Sequence, residues 1–423
     1  MTTSLLRVAL VAVGDELLSG DQVNSNGAVL GRELGAVGAK VVAHHVVGDD
    51  IAVIRDAVLG AAVNADVVVV CGGVGPTQDD VTREGVAAAA GVELLRDAEV
   101  ERSLRALFAS LAVDREIPDM NWRQADVPRG ATTLANSVGS APGLRLIVSG
   151  ALVYVLPGVP SEFNAMLAEA VIPDLITRFP KRPAIVREVI RTVGLWESAV
   201  AQALSDEVAR TAGSPAISFL ASGGETRVVI TATAETPDAA KALAEPTVAA
   251  ARVALGAAVY EAPTLEAEVV GLLSEAGATV ACAESLTAGL VTARLANVPG
   301  ASAVLRGGVI PYATDLKSSL LDIAPRDIET WRAVSPQTAE AMAKAVAEAC
   351  DATYGLALTG VAGPAEQDGQ PPGTVFVGVS GPSGVTSRQL ALPGDRAQVR
   401  AFSATSALGL LRTALVGDRQ QRD

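Results

Sequence analysis

Histidine, lysine, cysteine and aromatic side chains are all scarce in this chain, and each shortage removes a class of function. The two histidines, His44 and His45, are adjacent. Neighbours on a strand point to opposite faces, so they are poor joint metal ligands, one reading as core and one as surface. Three cysteines (Cys71, Cys282, Cys350) lie far apart in 423 residues and form neither a disulfide framework nor a metal spacing, which points to reduced thiols and a cytoplasmic protein. Cys282 reads as a small buried apolar side chain. Aromatic residues make up 3%, too few for base-stacking platforms to be the main business, and Trp122, Trp196 and Trp331 read as packing. No run of 18 apolar residues is free of charge, so no membrane span is expected, and the first residues lack a basic segment with a cleavage site for export. A net charge of -14 disfavours nucleic acid and anionic lipid as partners, since both need a basic footprint. Small phosphorylated ligands held by backbone amides and a few arginines remain open. Only five lysines stand against 28 arginines, so the setting of each lysine carries information.

The length suits two or three domains. Strand patterns at 7–13, 40–47 and 66–71 alternate with helical spacing at 23–34 and 50–63, the second helix with Asp49 as a possible cap. Continuous apolar strands between helices imply a parallel sheet covered on both faces, and a helix over 160–179 closes this first domain, 1–178. A stiff charged linker, Phe179 to Pro183, precedes a strand-helix-strand-strand-helix module over 184–260, with a turn at Ser222-Gly223-Gly224. A third domain, 263–423, opens with a helix capped by Thr264 and a strand over 278–283 delivering Glu284-Ser285. A Ser335-Pro336 helix start, a strand over 352–358, a hairpin over 374–392 and a final helix capped by Asp395 follow.

Three Gly-rich strand exits should share one edge of the first sheet: Gly14-Asp15-Glu16, Gly72 to Asp80, and Leu156 to Pro160. Glycines after a strand let backbone N–H groups approach an anion closely. Asp79-Asp80 can offer oxygen ligands to a divalent cation that neutralises phosphate and activates water. Read more plainly, the glycines are turn chemistry and the aspartates cap a helix.

Val13 to Gly20, Gly72 to Glu84, Asn136 to Gly143 and Leu156 to Glu162, in that order, resemble the CinA family of competence/damage-inducible proteins. The resemblance covers residues 1 to about 175. It implies a three-layer α/β domain like the molybdopterin-binding enzymes, acting as a metal-dependent pyrophosphatase on ADP-ribose and related NAD-type dinucleotides. On that resemblance Gly72, Gly73, Gly75 and Thr77 form the phosphate loop, and Asp80 is the catalytic or metal residue with Asp79 as a second metal ligand. Asp15 and Glu16 face them, and Asn121, Arg123, Ser137 and Glu162 fall in the remaining motifs. A metal of Mg or Co type is implied. The middle module resembles the family's small α+β KH-type module. Its glycines lie beside Glu225 with no lysine nearby, so it reads as a spacer or dimerisation element rather than a nucleic-acid binder.

In the last domain Ser285 sits where a strand meets a helix, where unpaired amides can stabilise an oxyanion. Tyr312 follows 27 residues later and Lys317 five after that. A serine hydroxyl needs a base, this half holds no histidine, and a desolvated lysine is the available candidate. The residues alone favour a plainer reading, Ser285 as an N-cap and Lys317 as a solvated helical residue. Residues 264 to about 415, however, resemble the CinA C-terminal α/β domain through Ala283 to Gly289, Tyr312 with Lys317, Thr359 to Pro364 and Gly394-Asp395-Arg396. That resemblance implies hydrolysis of the carboxamide of nicotinamide mononucleotide (NMN), without a cofactor at this site. Ser285 would be the nucleophile, Lys317 the base and Tyr312 a proton relay. Thr287, Thr359 and Gly360 would line the pocket, and Arg396 with Arg400 would hold the phosphate. The chain departs from the family pattern at Leu286 (usually Cys), Ala288 (usually Gly) and the loop 365–372, which lacks a glycine run. A homodimer is the default assembly for such enzymes.

Overall fold

The computed structural model describes residues 5–110 and 117–421; the first four residues, read above for an export signal, lie outside them. The chain forms two compact units, residues 1–187 with 232–243, and residues 188–231 with 244–423.

Valine-rich strands organise the first unit: β1 (Leu6–Val13), β2 (Ala39–Val47) and β3 (Val67–Cys71), then the short β4 (Leu94–Arg96), β5 (Asp126–Pro128) and β6 (Thr132–Leu134), and finally β7 (Gly143–Val148) and β8 (Ala151–Leu156). The main sheet runs β2-β1-β3-β8-β7-β6, with β4 and β5 paired separately. Alternate residues of the central strands feed opposite cores. Val11, Val68, Val70 and Val153 meet Ile54, Val58 and Val86 on one face. Val8, Leu10, Val69 and Tyr154 meet Leu30, Leu34, Phe163 and Met166 on the other. The sheet is parallel through β2, β1, β3 and β8, as expected for the first three strands, and is extended by the antiparallel β7 and β6. Strands β7 and β8 pair antiparallel because Ser149 and Gly150 both take positive φ, the geometry of a two-residue hairpin turn.

Three local expectations are also revised. Asp50, not Asp49, caps the helix Ile51–Asn64, accepting from the Ala52 and Val53 amides at 2.8 and 2.9 Å. The closing helix carries a π turn, Leu167–Val171, between Pro160–Met166 and Ile172–Arg178; Pro173, which has no N–H to donate, is the second residue after it. Both histidines are exposed, because β2 is an edge strand.

The middle segment supplies β9 (Ala184–Val193), β10 (Ala216–Ser222), β11 (Glu225–Ala234) and β12 (Val259–Tyr260), in the order β10-β11-β9-β12. Its first helix breaks at Leu204 into Glu197–Ala203 and Ser205–Thr211. The C-terminal sheet comprises β13 (Val280–Glu284), β14 (Leu305–Val309), β15 (Tyr354–Gly360), β16 (Thr374–Gly381) and β17 (Gly384–Ala391), ordered β14-β13-β15-β16-β17. Thr264, Ser335 and Asp395 cap the helices Leu265–Glu275, Pro336–Ala349 and Arg396–Gln420 as expected, the last through a reciprocal capping box with Gln398. Cys71 and Cys282 are buried, which pushes both thiols up to about 12, while Cys350 is half-buried. No helix among the described residues is long and apolar enough to cross a membrane.

Candidate active sites

The C-terminal ends of β1, β3 and β8 do share one edge, and the loops leaving them enclose a cavity of about 490 Å³. Close backbone approach shapes it. A Cβ on Gly72, at φ 105°, would collide with the Val13 carbonyl, and Gly158 lies against the Gly72 Cα. The carbonyls of the loop are capped from behind. Thr82 Oγ1 donates to Gly72 O (2.8 Å), Arg83 to the carbonyls of Val74 and Gly75, and Arg123 to Thr77 O (2.8 Å). With their carbonyls so engaged, the Gly73 and Val74 amides have no acceptor among the described residues and are available to an anion.

Asp80 faces inward. Its carboxylate accepts from the Gly75 and Thr77 amides, both at 2.8 Å, and from the Thr77 hydroxyl, so it organises the loop. Asp79 is exposed. Asp15 and Asp49 exchange backbone-to-carboxylate hydrogen bonds of 3.0 and 3.3 Å. Burial pushes the Asp49 carboxyl above its ordinary range; the Asp15 amide opposes this, and the negative charges of Asp15, Glu16 and Asp79 add to it. Among the described residues no three potential ligands converge on one ion position.

Of the expected residues, Glu16, Gly72, Gly73, Gly75, Asp80 and Glu162 line the cavity, with Glu162 held by Asn136 at 2.6 Å. Asp15, Thr77, Asp79, Asn121, Arg123 and Ser137 do not. Arg123 braces the loop and pairs with Glu84, the Asn121 side chain donates to the local Pro118 carbonyl, and Ser137 donates to Glu169. Sequence reading missed three residues. Arg83 holds the loop from the core, and Asp49 was taken for a cap. Asn26 is buried on the helix Ser25–Ala36, donates to Gly158 O at 2.8 Å, and leaves Oδ1 unpartnered at the cavity wall. The sole signal for Asn26 was a polar residue on the apolar face of an amphipathic helix.

At the second site β13 ends at Glu284 and a tight turn, 285–289, follows before the helix Leu290–Ala296. This revises the expected strand-helix junction. The first amides of that helix are taken by buried Glu284, whose carboxylate accepts from Val291 N (3.0 Å) and Thr292 N (2.8 Å). The donors free for an oxyanion are instead the turn amides of Leu286 and Thr287, which have no acceptor among the described residues. Arg400 clamps that turn, donating to the carbonyls of Leu286 (2.9 Å) and Thr287 (2.8 Å). Because carbonyl and amide of one peptide point oppositely, the bond to Leu286 O aims the Thr287 N–H away from Arg400. Arg400 is thus a brace of the 285–289 turn.

Lys317 is 2% exposed, which overturns the solvated-helix alternative. Its Nζ donates to Pro311 O at 3.0 Å and to Ser285 Oγ at 3.4 Å. Burial pushes its pKa down, and the negative charges of Asp368 and Asp315 partly oppose this. Tyr312 is exposed, and its hydroxyl accepts from Arg396 (2.6 Å), which also donates to Gly363 O (2.8 Å). Thr287 is fully buried with Oγ1 unpartnered. The Thr359 hydroxyl donates to Ala333 O, and Gly360 is required where β15 and β16 approach, since a Cβ there would meet Thr374 O. Of the departures, Leu286 packs into the domain core, while Ala288 takes φ 51°, a conformation better suited to the glycine of the family pattern.

Comparison with known proteins covers nearly the whole chain. Residues 9–177 match a probable molybdopterin binding domain, residues 187–260 the damage-inducible protein CinA KH domain, and residues 262–415 the CinA C-terminal domain. A CinA-like protein of Frankia casuarinae is 51% identical over 419 residues, 97% of each chain. A putative competence-damage inducible protein of Desulforamulus reducens is 35% identical over 415 residues, 97% of this chain and 100% of its own. The crystal structure of CinA from Thermoplasma acidophilum aligns at 35% identity and a TM-score of 0.38, over 41% of this chain and 99% of that one. Its three matched domains and its full-length relatives place the chain in the CinA family.

Proposed function

We propose that the protein is a two-site hydrolase of pyridine-nucleotide recycling. The C-terminal site hydrolyses the NMN carboxamide to nicotinic acid mononucleotide and ammonia, and the N-terminal site splits the pyrophosphate of ADP-ribose or a related NAD-type dinucleotide. The observation that supports it best is a buried lysine against a serine hydroxyl, beside a turn with two unengaged amides.

Neutral Lys317 takes the Ser285 proton as Oγ attacks the carboxamide carbon, and the turn amides receive the oxyanion. The C–N bond breaks, the Lys317 proton leaves with ammonia, and an ester on Ser285 remains. Water, deprotonated in turn by Lys317, then releases the carboxylate and restores the serine. Arg396, at the N-terminus of the final helix, engages the ligand's phosphate, and Tyr312, already bonded to it, closes the mouth and relays protons. At the first site the Gly73 and Val74 amides hold a phosphate in the cavity that Glu16 lines, and Asp15, Asp49 and Asp79 form with Glu16 a cluster of negative charge. A divalent cation bound among them would supply charge neutralisation and an activated water.

Each half has its own assay. Incubation with NMN should release ammonia in wild type and not in Ser285→Ala; equal release from both would remove the deamidase. Incubation with ADP-ribose and Mg²⁺ or Co²⁺ should release AMP; no AMP with any divalent metal would remove the pyrophosphatase. Ligand binding without turnover is the second reading for the first site, favoured by the engagement of Asp80 within its own loop.

A further inference from the structure

The larger described cavity belongs to neither site. It measures about 560 Å³ and lies within the second unit, among the end of β9, the Gly223-Gly224 turn, β17 and the final helix. That volume is in the range of small-molecule sites. Its walls are firmly made. Thr405 Oγ1 donates to Gly223 O at 2.6 Å, and Arg412 ties the helix to Ala257 O and Glu268 at 2.8 and 3.3 Å. The Gly224 position is closed against Phe402 and Thr405.

Three side chains on this wall are unexplained by the fold. Trp196 was expected to pack, yet it is 58% exposed, in a chain with three tryptophans. Leaving a large aromatic face in water is unfavourable, and such faces mark binding sites. Arg388 on β17 lines the cavity and makes no hydrogen bond or ion pair among the described residues, unlike Arg412 nearby. Glu197, next to Trp196, is equally unpaired. An aromatic face, a free cation and a carboxylate beside the aromatic select a flat ring, neutral or cationic, that carries one anionic group.

We infer that this cleft is a third small-molecule site, for an aromatic anion whose ring stacks on Trp196 and whose negative group pairs with Arg388. It is independent of the proposed activities, because no residue of it belongs to either catalytic site.

The probe is 8-anilinonaphthalene-1-sulfonate, with N-phenyl-1-naphthylamine as the same skeleton lacking the anion. Titrated into the full chain, the sulfonate should bind one saturable site. Its Kd should rise about tenfold or more in Arg388→Gln and in Trp196→Ala, and stay within about threefold in Arg388→Lys and Trp196→Phe. The neutral probe should bind more weakly and ignore Arg388→Gln. Ser285→Ala should leave sulfonate binding unchanged. Sulfonate affinity insensitive to both Trp196→Ala and Arg388→Gln, in variants melting like wild type, overturns the site. So does equal loss in Ser285→Ala, which would move the probe to the catalytic turn. A dimer that dissociates in Trp196→Ala, with no probe bound to wild type, also overturns it and makes the cleft a subunit contact.

Discussion

The two candidate catalytic sites are organised in opposite ways. In the first, backbone predominates: Thr82, Arg83 and Arg123 engage carbonyls from behind, Asp80 fixes the turn, and the amides of Gly73 and Val74 are left without an acceptor among the described residues. In the second, side chains dominate: buried Lys317 donates to Ser285, and Arg396 donates to the Tyr312 hydroxyl. A backbone site tolerates many side-chain changes but not an added Cβ, whereas a side-chain site fails with the loss of one functional group.

The largest expected effect is at Ser285 and Lys317. Ser285→Ala or Lys317→Met should lower NMN deamidation by about three orders of magnitude or more, each alone costing nearly as much as both together. Because Lys317 must be neutral to act, activity should rise with pH, by about tenfold per unit below its folded pKa. Burial places that limb below the ordinary lysine value of 10.5, and Asp368→Asn should move it lower still. A pH-rate profile identical in Asp368→Asn would refute that coupling. Next, Gly72→Ala should destabilise the first unit by about 2–4 kcal/mol, seen as a lower urea midpoint, because the new methyl meets backbone at a positive φ. In the proposed phosphate loop Asp80→Asn should weaken ADP-ribose binding about tenfold through the contacts it organises. Asp79→Asn should instead raise the metal concentration needed for half-maximal rate, and the reverse pattern would exchange their roles. The smallest effect is expected at Ala288→Gly, which should stabilise the second unit by about 1 kcal/mol by relieving left-handed backbone strain. Differential scanning of both proteins measures it.

How much was legible in the sequence follows the same division. Strands such as β3, uninterrupted valine ending in glycine, announced both themselves and their loop, and the caps at Thr264, Ser335 and Asp395 were written in single residues. The antiparallel β7 and β8 were not, because Ser149-Gly150 is an ordinary loop pair until its φ angles are known. Site residues acting through backbone position were visible as motif; those acting through packing were not. Arg83, Asp49 and Asn26 depend on contacts between segments 9 to 132 residues apart, which no local pattern encodes. Arg400, expected at a phosphate, bonds the turn 113 residues before it for the same reason.

The burial of two of the three cysteines has a practical outcome for measurement. Cys71 and Cys282 are closed off with thiols at about 12, so at neutral pH neither offers a thiolate to an alkylating dye. Cys350, at the end of the helix Pro336–Ala349, is the least buried of the three. A maleimide fluorophore added to the native protein should therefore label one position in the C-terminal domain, without any cysteine having to be removed first.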